Sequence, residues 1–401
     1  MSATHHPETD RSNAGRTRGR RRAARAAAWL AAQVLVGVLL AACGGHGNTA
    51  GGSPPGPTAA TAPTGQHTTN ATPAIPGGVY GHPLFSPDVD VTTAGIYVAW
   101  QLAPLASGGQ TELARVDEAS GQILAARSLG PVNFDQALSA GGSLWVATSS
   151  RTGETLLRLD PRTLAVIHRR WIGGGGAQGW SGRVLAVAAG GLWVAGGNRL
   201  LRLALPAGTL TGSVTLPRAA SSDVSANAAG TVLVTGEADR SGRGIVQRRD
   251  PVSGAVLASY PMLGVAAPMI AGPVGAAIWV SEATGMMGYV QRLDASTLAA
   301  PAGGCPDPAG SVTSACAMGT HGITARLVNG LLWVTQTAGG SRLNYCAEPS
   351  DNRRLASIKL PQPAQDEVLA IAPDRIFYAA PGNGARQYLR TMPVPPRCES
   401  G

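Results

Sequence analysis

Leu144-Trp145-Val146, then Arg158-Leu159-Asp160-Pro161-Arg162-Thr163, then Val166-Ile167: these pieces of one stretch, residues 144–167, decide the fold, because the chain repeats them. The triplet recurs as Ile96-Tyr97-Val98, Leu192-Trp193-Val194, Val232-Leu233-Val234, Ile278-Trp279-Val280, Leu332-Trp333-Val334 and Ile376-Phe377-Tyr378. The central residues stand 48, 48, 40, 46, 54 and 44 apart in chain order. A Gly-containing turn precedes most copies, as at Ala94-Gly95, Gly141-Gly142, Gly190-Gly191, Gly230 and Asn329-Gly330. The Arg-x-Asp signal recurs as Arg115-Val116-Asp117, Arg248-Arg249-Asp250 and Arg292-Leu293-Asp294. Arg202-Leu203-Ala204 and Arg390-Thr391-Met392 keep the Arg alone, and the sixth copy reads Asn344-Tyr345-Cys346. Turn residues such as Pro251-Val252-Ser253-Gly254 come next, then a further apolar run such as Ala255-Val256-Leu257.

Each copy supplies about four short strands in a little over 40 residues, with no helical stretch, which is the period of propeller blades. The expected fold is all-β: a seven-bladed β-propeller of four-stranded blades over residues 79–401. One blade alone leaves both faces wet. Stacked neighbours bury each other, so the triplets read apolar on both sides and do not alternate. A Trp fixed at one position of successive blades is then a packing residue between blades and not a ligand platform. The Asp of Arg-x-Asp stands before Pro-x-Thr or x-Ser-Gly, where its side chain bonds the turn backbone. That turn lies at the outer part of each blade, which excludes a central ring of carboxylates.

Composition agrees. Of 401 residues, 44% are hydrophobic but only 4% aromatic, so Val, Leu and Ala carry the packing, and 54 Gly with 29 Pro suit short strands and turns. The formal charge of +9 is concentrated at the start: seven Arg against Glu8 and Asp10 in residues 1–25 leave only +4 for the remainder. No basic stripe with interleaved aromatics follows, so nucleic-acid binding is disfavoured.

The seventh repeat has inner strands near residues 368–372, 375–379 and 387–391 and then runs into Pro393-Val394-Pro395-Pro396, without a fourth strand. A spare extended segment, 79–85, precedes the first repeat's inner strand at 88–93. Placing that segment on the outside of the last blade closes the ring and leaves no free end.

The N-terminus reads as three zones: a basic run over 11–25, an apolar run of 15 residues over 26–40, and Leu40-Ala41-Ala42-Cys43-Gly44. The apolar run is short for a membrane span and ends in small residues, as a cleavable signal does. Leu-Ala-Ala-Cys resembles a bacterial lipobox, which implies diacylglyceryl on the Cys43 thiol and cleavage before it. An uncleaved anchor helix with an incidental Cys43 is the competing reading. Arg20-Arg21-Arg22 leaves twin-arginine and general export both open. Residues 1–42 are therefore read as a signal peptide. Residues 43–78 are read as the lipidated Cys and a disordered Gly/Pro/Thr/Ala linker, too poor in apolar residues to offset the entropy of ordering. The expected location is the extracytoplasmic face of the cell membrane, with membrane lipid as the first partner and a monomer as the expected state.

The pattern Leu-Trp-Val, Arg-Leu-Asp-Pro-x-Thr, Val-Ile resembles the YVTN/NHL-type seven-bladed propellers, the group with quinoprotein-like and streptogramin-lyase-like repeats, over residues 79–395. The resemblance implies architecture and not activity, since this fold hosts unrelated functions. Lyases of that group use a metal and a His base at the channel mouth. Here the folded region has only His82, His168 and His321, no pair of which is spaced for a metal, so no metal or cofactor is expected. His168 reads as outer strand. No nucleophile elbow, Walker loop or Cys-x-x-Cys occurs, and Gly173-Gly174-Gly175-Gly176 opens no helix.

Two function classes follow. One is a binding or scaffold module at the cell envelope, recognising a protein, glycan or small ligand. The other is an extracytoplasmic propeller enzyme, lyase-like or quinoprotein-like, with its site at the channel mouth. The poverty of His favours the first. Loops from each outer strand to the next inner strand should gather at that mouth. They carry Asp88, Asn133-Phe134-Asp135, Gln178-Gly179-Trp180, Ser222-Asp223, His321 and Asp366-Glu367. Among these, Asp135, Trp180, His321 and Asp366 are the candidate ligand-binding residues. Export also places the remaining cysteines where thiols oxidise. Of three possible pairings, Cys305–Cys316 would brace the Pro/Gly-rich insertion and Cys346–Cys398 would pin the C-terminal tail.

Overall fold

The computed structural model describes residues 78–398, apart from 106–107, 174–183, 197, 217–222, 239–240, 263–267, 285–286, 302–315, 320–322, 329, 339–340, 361–366 and 383–385. The expected signal peptide, Cys43 and linker lie outside the described residues, as do Trp180, Cys305, His321 and Asp366.

The chain enters β1 (Pro83–Thr92) and continues through β2 (Gly95–Gln101), β3 (Thr111–Val116) and β4 (Ile123–Gly130). The second group is β5 (Asn133–Ala140), β6 (Ser143–Ser150), β7 (Gly153–Leu159) and β8 (Val166–Gly173). The third is β9 (Leu185–Ala188), β10 (Gly191–Gly196), β11 (Arg199–Ala204) and β12 (Thr209–Thr215). The fourth is β13 (Asp223–Ala226), β14 (Leu233–Ala238), β15 (Gly244–Arg249) and β16 (Val256–Pro261). The fifth is β17 (Met269–Val274), β18 (Ala277–Thr284), β19 (Met287–Asp294) and β20 (Cys316–Gly319). The sixth is β21 (Ile323–Val328), β22 (Leu331–Ala338), β23 (Ser341–Ala347) and β24 (Arg354–Ile358). The last is β25 (Glu367–Ile371), β26 (Arg375–Pro381) and β27 (Arg386–Pro393).

Groups two to six are four-stranded antiparallel sheets, each strand beside its chain neighbours. The last group joins the first in one seven-stranded sheet ordered β25-β26-β27-β1-β2-β3-β4. Strand β1 serves both halves. Pro83, Leu84 and Phe85 pair with Tyr388, Gln387 and Arg386 of β27, and residues 88–92 pair with β2 after a register shift. The N-terminal segment thus supplies the strand the last repeat lacks.

Burial explains the sequence pattern. The second strands are buried along nearly their whole length, as in β6 and β10. The outermost strands β4, β12 and β16 show side chains of alternating exposure. Each apolar cluster joins two consecutive groups. Tyr97 and Leu113 pack with Leu144 and Leu157, Trp193 with Val224 and Leu233, and Trp279 with Leu332 and Tyr345. Phe377 and Leu389 close the series against Ile96, Val98 and Val116, together with Val79 and Leu84.

The strand register corrects three repeat assignments. Trp145 and Trp193 stand opposite Arg158 and Arg202, whereas Arg248 stands opposite Val234. The fourth triplet is therefore Leu233-Val234-Thr235, one residue later than the sequence pattern indicated. In the sixth group Trp333 faces Cys346, so Cys346-Ala347-Glu348 replaces Arg-x-Asp. In the seventh Phe377 faces Thr391, so the equivalent run is Thr391-Met392-Pro393. Arg249 consequently occupies a buried position held elsewhere by Leu159 or Leu203. Its charge is met by Glu237 at 2.7 Å and by Thr235, Gln247 and the Gly254 carbonyl.

The turn after the third strand has one construction in the first, second, fourth and fifth groups. Asp117, Asp160, Asp250 and Asp294 accept bonds from the Ser or Thr two or three residues on, through both backbone and hydroxyl. These donors hold all four carboxyls below the usual range. Four residues after the acid, the amide returns to its carbonyl, as Gly121 to Asp117, Leu164 to Asp160, Leu298 to Asp294 and Asn352 to Glu348. That residue is left-handed each time, even where it is leucine: φ is 58° at Leu164 and 59° at Leu298, and both side chains are buried.

At three junctions the triplet aromatic of one sheet ties to this turn of the next, whereas Trp145 Nε1 donates to the Ala140 carbonyl of its own sheet. Tyr97 Oη donates to the Pro161 carbonyl (2.8 Å), Trp193 Nε1 to Pro251 (3.0 Å) and Trp279 Nε1 to Pro349 (2.8 Å). Each acceptor directly follows the turn's acidic residue. Phe377 has no donor to offer. Tyr80, packed near it at a ring-centroid distance of 6.0 Å, supplies one: its Oη donates to the Glu118 carbonyl at 3.1 Å. Burial pushes the Tyr80 phenol up to about 12, which keeps it a donor.

Cys346 and Cys398 form a disulfide with Cα atoms 5.9 Å apart and both side chains buried. It ties the tail to the sixth sheet.

Closure and the disulfide each give measurable expectations. Tyr80→Phe should cost ~1 kcal/mol, the worth of one hydrogen bond. A chain starting at Asp88 should lose in addition the burial of Val79 and Leu84, ~1.5–3 kcal/mol each. A chain starting at Gly78 should unfold at the same urea midpoint as the full chain. Under non-reducing conditions Cys398→Ser should lower stability by ~2–4 kcal/mol, and reduction of the wild type should reproduce that loss.

Candidate functional site

Four polar side chains on the innermost strands cross to the next group. Asp90 on β1 accepts from the Ala137 amide on β5. Gln136 on β5 accepts from the Val184 and Leu185 amides, both at 2.8 Å, and donates to the Leu185 carbonyl. Asp223 on β13 accepts from the Ile270 amide on β17. Arg326 on β21 donates to the Leu369 carbonyl on β25. Such side chains satisfy backbone groups that the sheets leave open at their inner edges.

A cavity of about 440 Å³ opens beside them. Its wall draws on separate groups: Asp88 from β1, Asn133 and Phe134 from β5, Arg326 from β21, Leu369 from β25, and Gln387 from β27, with Gln101 at the end of β2. Thr111 braces the rim by donating to the Val132 carbonyl. The polar set is one guanidinium, one carboxylate, three amides and the hydroxyls of Ser86 and Thr111, with Trp100, Phe134 and Leu369 among the apolar lining. It offers both donors and acceptors with little net charge, which suits a polar small molecule or an extended peptide backbone.

The candidate residues fare differently. Asp88, Asn133, Phe134, Asp135, Asp223 and Glu367 lie in strands β1, β5, β13 and β25, not in loops as expected from sequence. The correction has a local cause. Pairing of Asn133 with Ser149 and Phe134 with Thr148 continues across an irregularity at Phe134/Gln136, which extends β5 toward the preceding strand. Asp223 is buried and occupied with Ile270. Asp135 neighbours the cavity wall in sequence but is not part of it. Its carboxylate accepts from Ser149 Oγ at 2.9 Å. Burial pushes its carboxyl up to about 7, with Glu154 and Asp88 adding to the shift and the Ser149 bond opposing it. Arg326, Gln101 and Gln387 were missed from sequence. A charge inside the apolar run Ile323–Val328 is the one signal that pointed to Arg326. Among the described residues no cluster of three or more His, Cys, Asp or Glu has metal-holding geometry.

No family model matches the chain, and no curated protein matches it either. Solved structures do. The WD40 domain of coronin from Toxoplasma gondii superposes with a TM-score of 0.52 at 13% identity, covering 78% of this chain and 82% of that one. A chain of the mitotic checkpoint complex superposes with a TM-score of 0.51 at 15% identity, covering 87% of this chain and 99% of that one. At such identities the likeness shows the fold alone: this is a β-propeller of four-stranded antiparallel sheets.

The acidity of Asp135 gives a signed expectation. The folded chain keeps this carboxyl protonated up to about pH 7, while an unfolded Asp releases its proton near pH 4. Between those values the folded state holds the extra proton, so stability falls as pH rises through the window. Asp135→Asn should therefore melt above the wild type at pH 8, with the gap closing toward pH 4. Equal melting at both pH values would exclude the buried acid.

Proposed function

We propose that this chain is an exported, lipid-anchored binding scaffold whose propeller takes a polar ligand or a peptide segment of an envelope partner in the cavity of Asn133, Arg326 and Gln387. The observation that carries the reading is the wall of that cavity: separate sheets each contribute a polar side chain to one concave space. One structurally similar chain is itself part of a multiprotein assembly, the mitotic checkpoint complex, and this supports a scaffold over an enzyme.

The finer architecture belongs to the same proposal. The seven-stranded sheet reads as two blades sharing β1, which with the five four-stranded sheets makes seven, in step with the seven triplets. Residues 1–42 serve as signal peptide, Cys43 as the acylated anchor, and 43–78 as the linker. The three-zone N-terminus and the small residues before Cys43 support this address.

Two measurements test the reading. Mass spectrometry of the mature N-terminal peptide should find acylated Cys43 as its first residue, and Cys43→Ala should shift the protein from the membrane to the soluble fraction. For the cavity, wild type and Asn133→Trp should be compared as baits for envelope extract. Binding species lost with the filled cavity, at unchanged melting temperature, map there. A binding profile unaffected by Asn133→Trp, Gln387→Trp and their combination would place recognition elsewhere.

A further inference from the structure

Strand β8 is the free edge of the second sheet, and its sequence, Val-Ile-His-Arg-Arg-Trp-Ile-Gly, differs from the other outer strands. Alternate side chains share a face. On one face Arg170 donates to the Gly208 carbonyl (3.2 Å) and Ile172 packs into the cluster of the third sheet. The opposite face presents Ile167, Arg169 and Trp171. Ile167 is 51% exposed and Trp171 65%, while Trp100, Trp145, Trp193, Trp279 and Trp333 are all buried.

Across from this face stands Arg127 on β4, whose Nη1 donates to the Leu164 carbonyl at 3.3 Å. Burial, and then the charge of Arg169, lower the Arg127 guanidinium from its ordinary value, which places the two cations within each other's field. Neither has an acidic partner among the described residues. Two neighbouring unneutralised guanidiniums call for an anion. An exposed indole and an isoleucine on the same face call for an apolar medium next to it. The headgroup region of an anionic bilayer offers both at once, and Trp with Arg is the residue pair that such interfaces favour.

We propose that the face formed by Ile167, Arg169 and Trp171 of β8 with Arg127 of β4 docks onto the anionic membrane surface that holds the chain's own lipid anchor. The inference rests on the anchored reading for its geometry. Acylation of Cys43 would hold the chain at a bilayer surface and raise the local concentration of headgroups around it. Docking would fix which side of the propeller is left open to a partner.

The test uses Trp171 as its own reporter. The purified lipidated chain is reconstituted in vesicles of phosphatidylcholine alone or mixed with phosphatidylglycerol, with brominated acyl chains as quencher. Docking predicts a blue-shifted, quenched component in the anionic vesicles only, absent in Trp171→Phe and in the double variant Arg127→Gln, Arg169→Gln. The unlipidated Cys43→Ala chain, titrated with the same anionic vesicles, should bind with an affinity that falls about fivefold for each arginine replaced. Emission identical in neutral and anionic vesicles, with Cys43 shown to be acylated, overturns the docking face and spares the anchor. An unacylated Cys43 overturns the anchor, and the vesicle titration of that chain still decides the face. A Trp171 shift on adding polyglutamate without any on adding anionic vesicles assigns the face to an acidic protein segment and also overturns the proposal.

Discussion

At four junctions between sheets, a single donated hydrogen bond ties the outer part of this molecule together. A triplet aromatic reaches from the second strand of one group to the carbonyl that follows the turn acid of the next, as Tyr97 does to Pro161 and Trp193 to Pro251. The acceptor is in place because the acid's carboxylate has tied down the two or three residues after it. The left-handed residue then returns the chain to the outer strand. At those junctions, sequence signals that look separate, the aromatic triplet and the acid of the turn, are the two ends of one contact. The last repeat exposes the constraint. Its aromatic is Phe377, which donates nothing, and the N-terminal segment that completes its sheet brings Tyr80 to the same kind of acceptor. Closure is achieved in strand pairing and in this contact by the same few residues.

The inner edges are held by different means. There Asp90, Gln136, Asp223 and Arg326 span the gaps with side-chain bonds to backbone. Polar inner edges carry a cost wherever a charge is desolvated. Asp135 shows it as a carboxyl that keeps its proton near neutrality. They also leave concave space lined by donors and acceptors, and the cavity between β1, β5, β21 and β25 is that space.

Repetition made the fold legible, and interruptions of repetition hid the rest. The spacing of the triplets and the turn acids identified the architecture, the closing strand and the structural role of the tryptophans. The fourth repeat misled by one residue because Val232-Leu233-Val234 satisfies the triplet pattern as well as Leu233-Val234-Thr235. Only the pairing of Val234 with Arg248 separates them. In the sixth repeat the turn acid is Glu348 and the arginine position is a half-cystine, so neither letter of the motif survives. The candidate site was less readable, because its wall joins residues from Asp88 to Gln387 that share no local pattern. Loop residues such as Asp135 looked available from sequence, yet strand β5 extends to include them and Ser149 occupies the carboxylate.

Departure from the repeat is thus the place to look for function, but it is not sufficient. Arg249 departs as sharply as any residue, a guanidinium where other repeats hold leucine. Its charge is consumed inside the sheet: Glu237 lies at 2.7 Å, and Thr235, Gln247 and the Gly254 carbonyl take further bonds. Nothing remains for a partner. Arg169 and Trp171 depart too, and their surroundings differ. The arginine faces another cation, the indole stands mostly in water, and no neighbour among the described residues compensates either. Sorting departures by whether the fold has already satisfied them separates residues that stabilise this propeller from residues left over for something outside it.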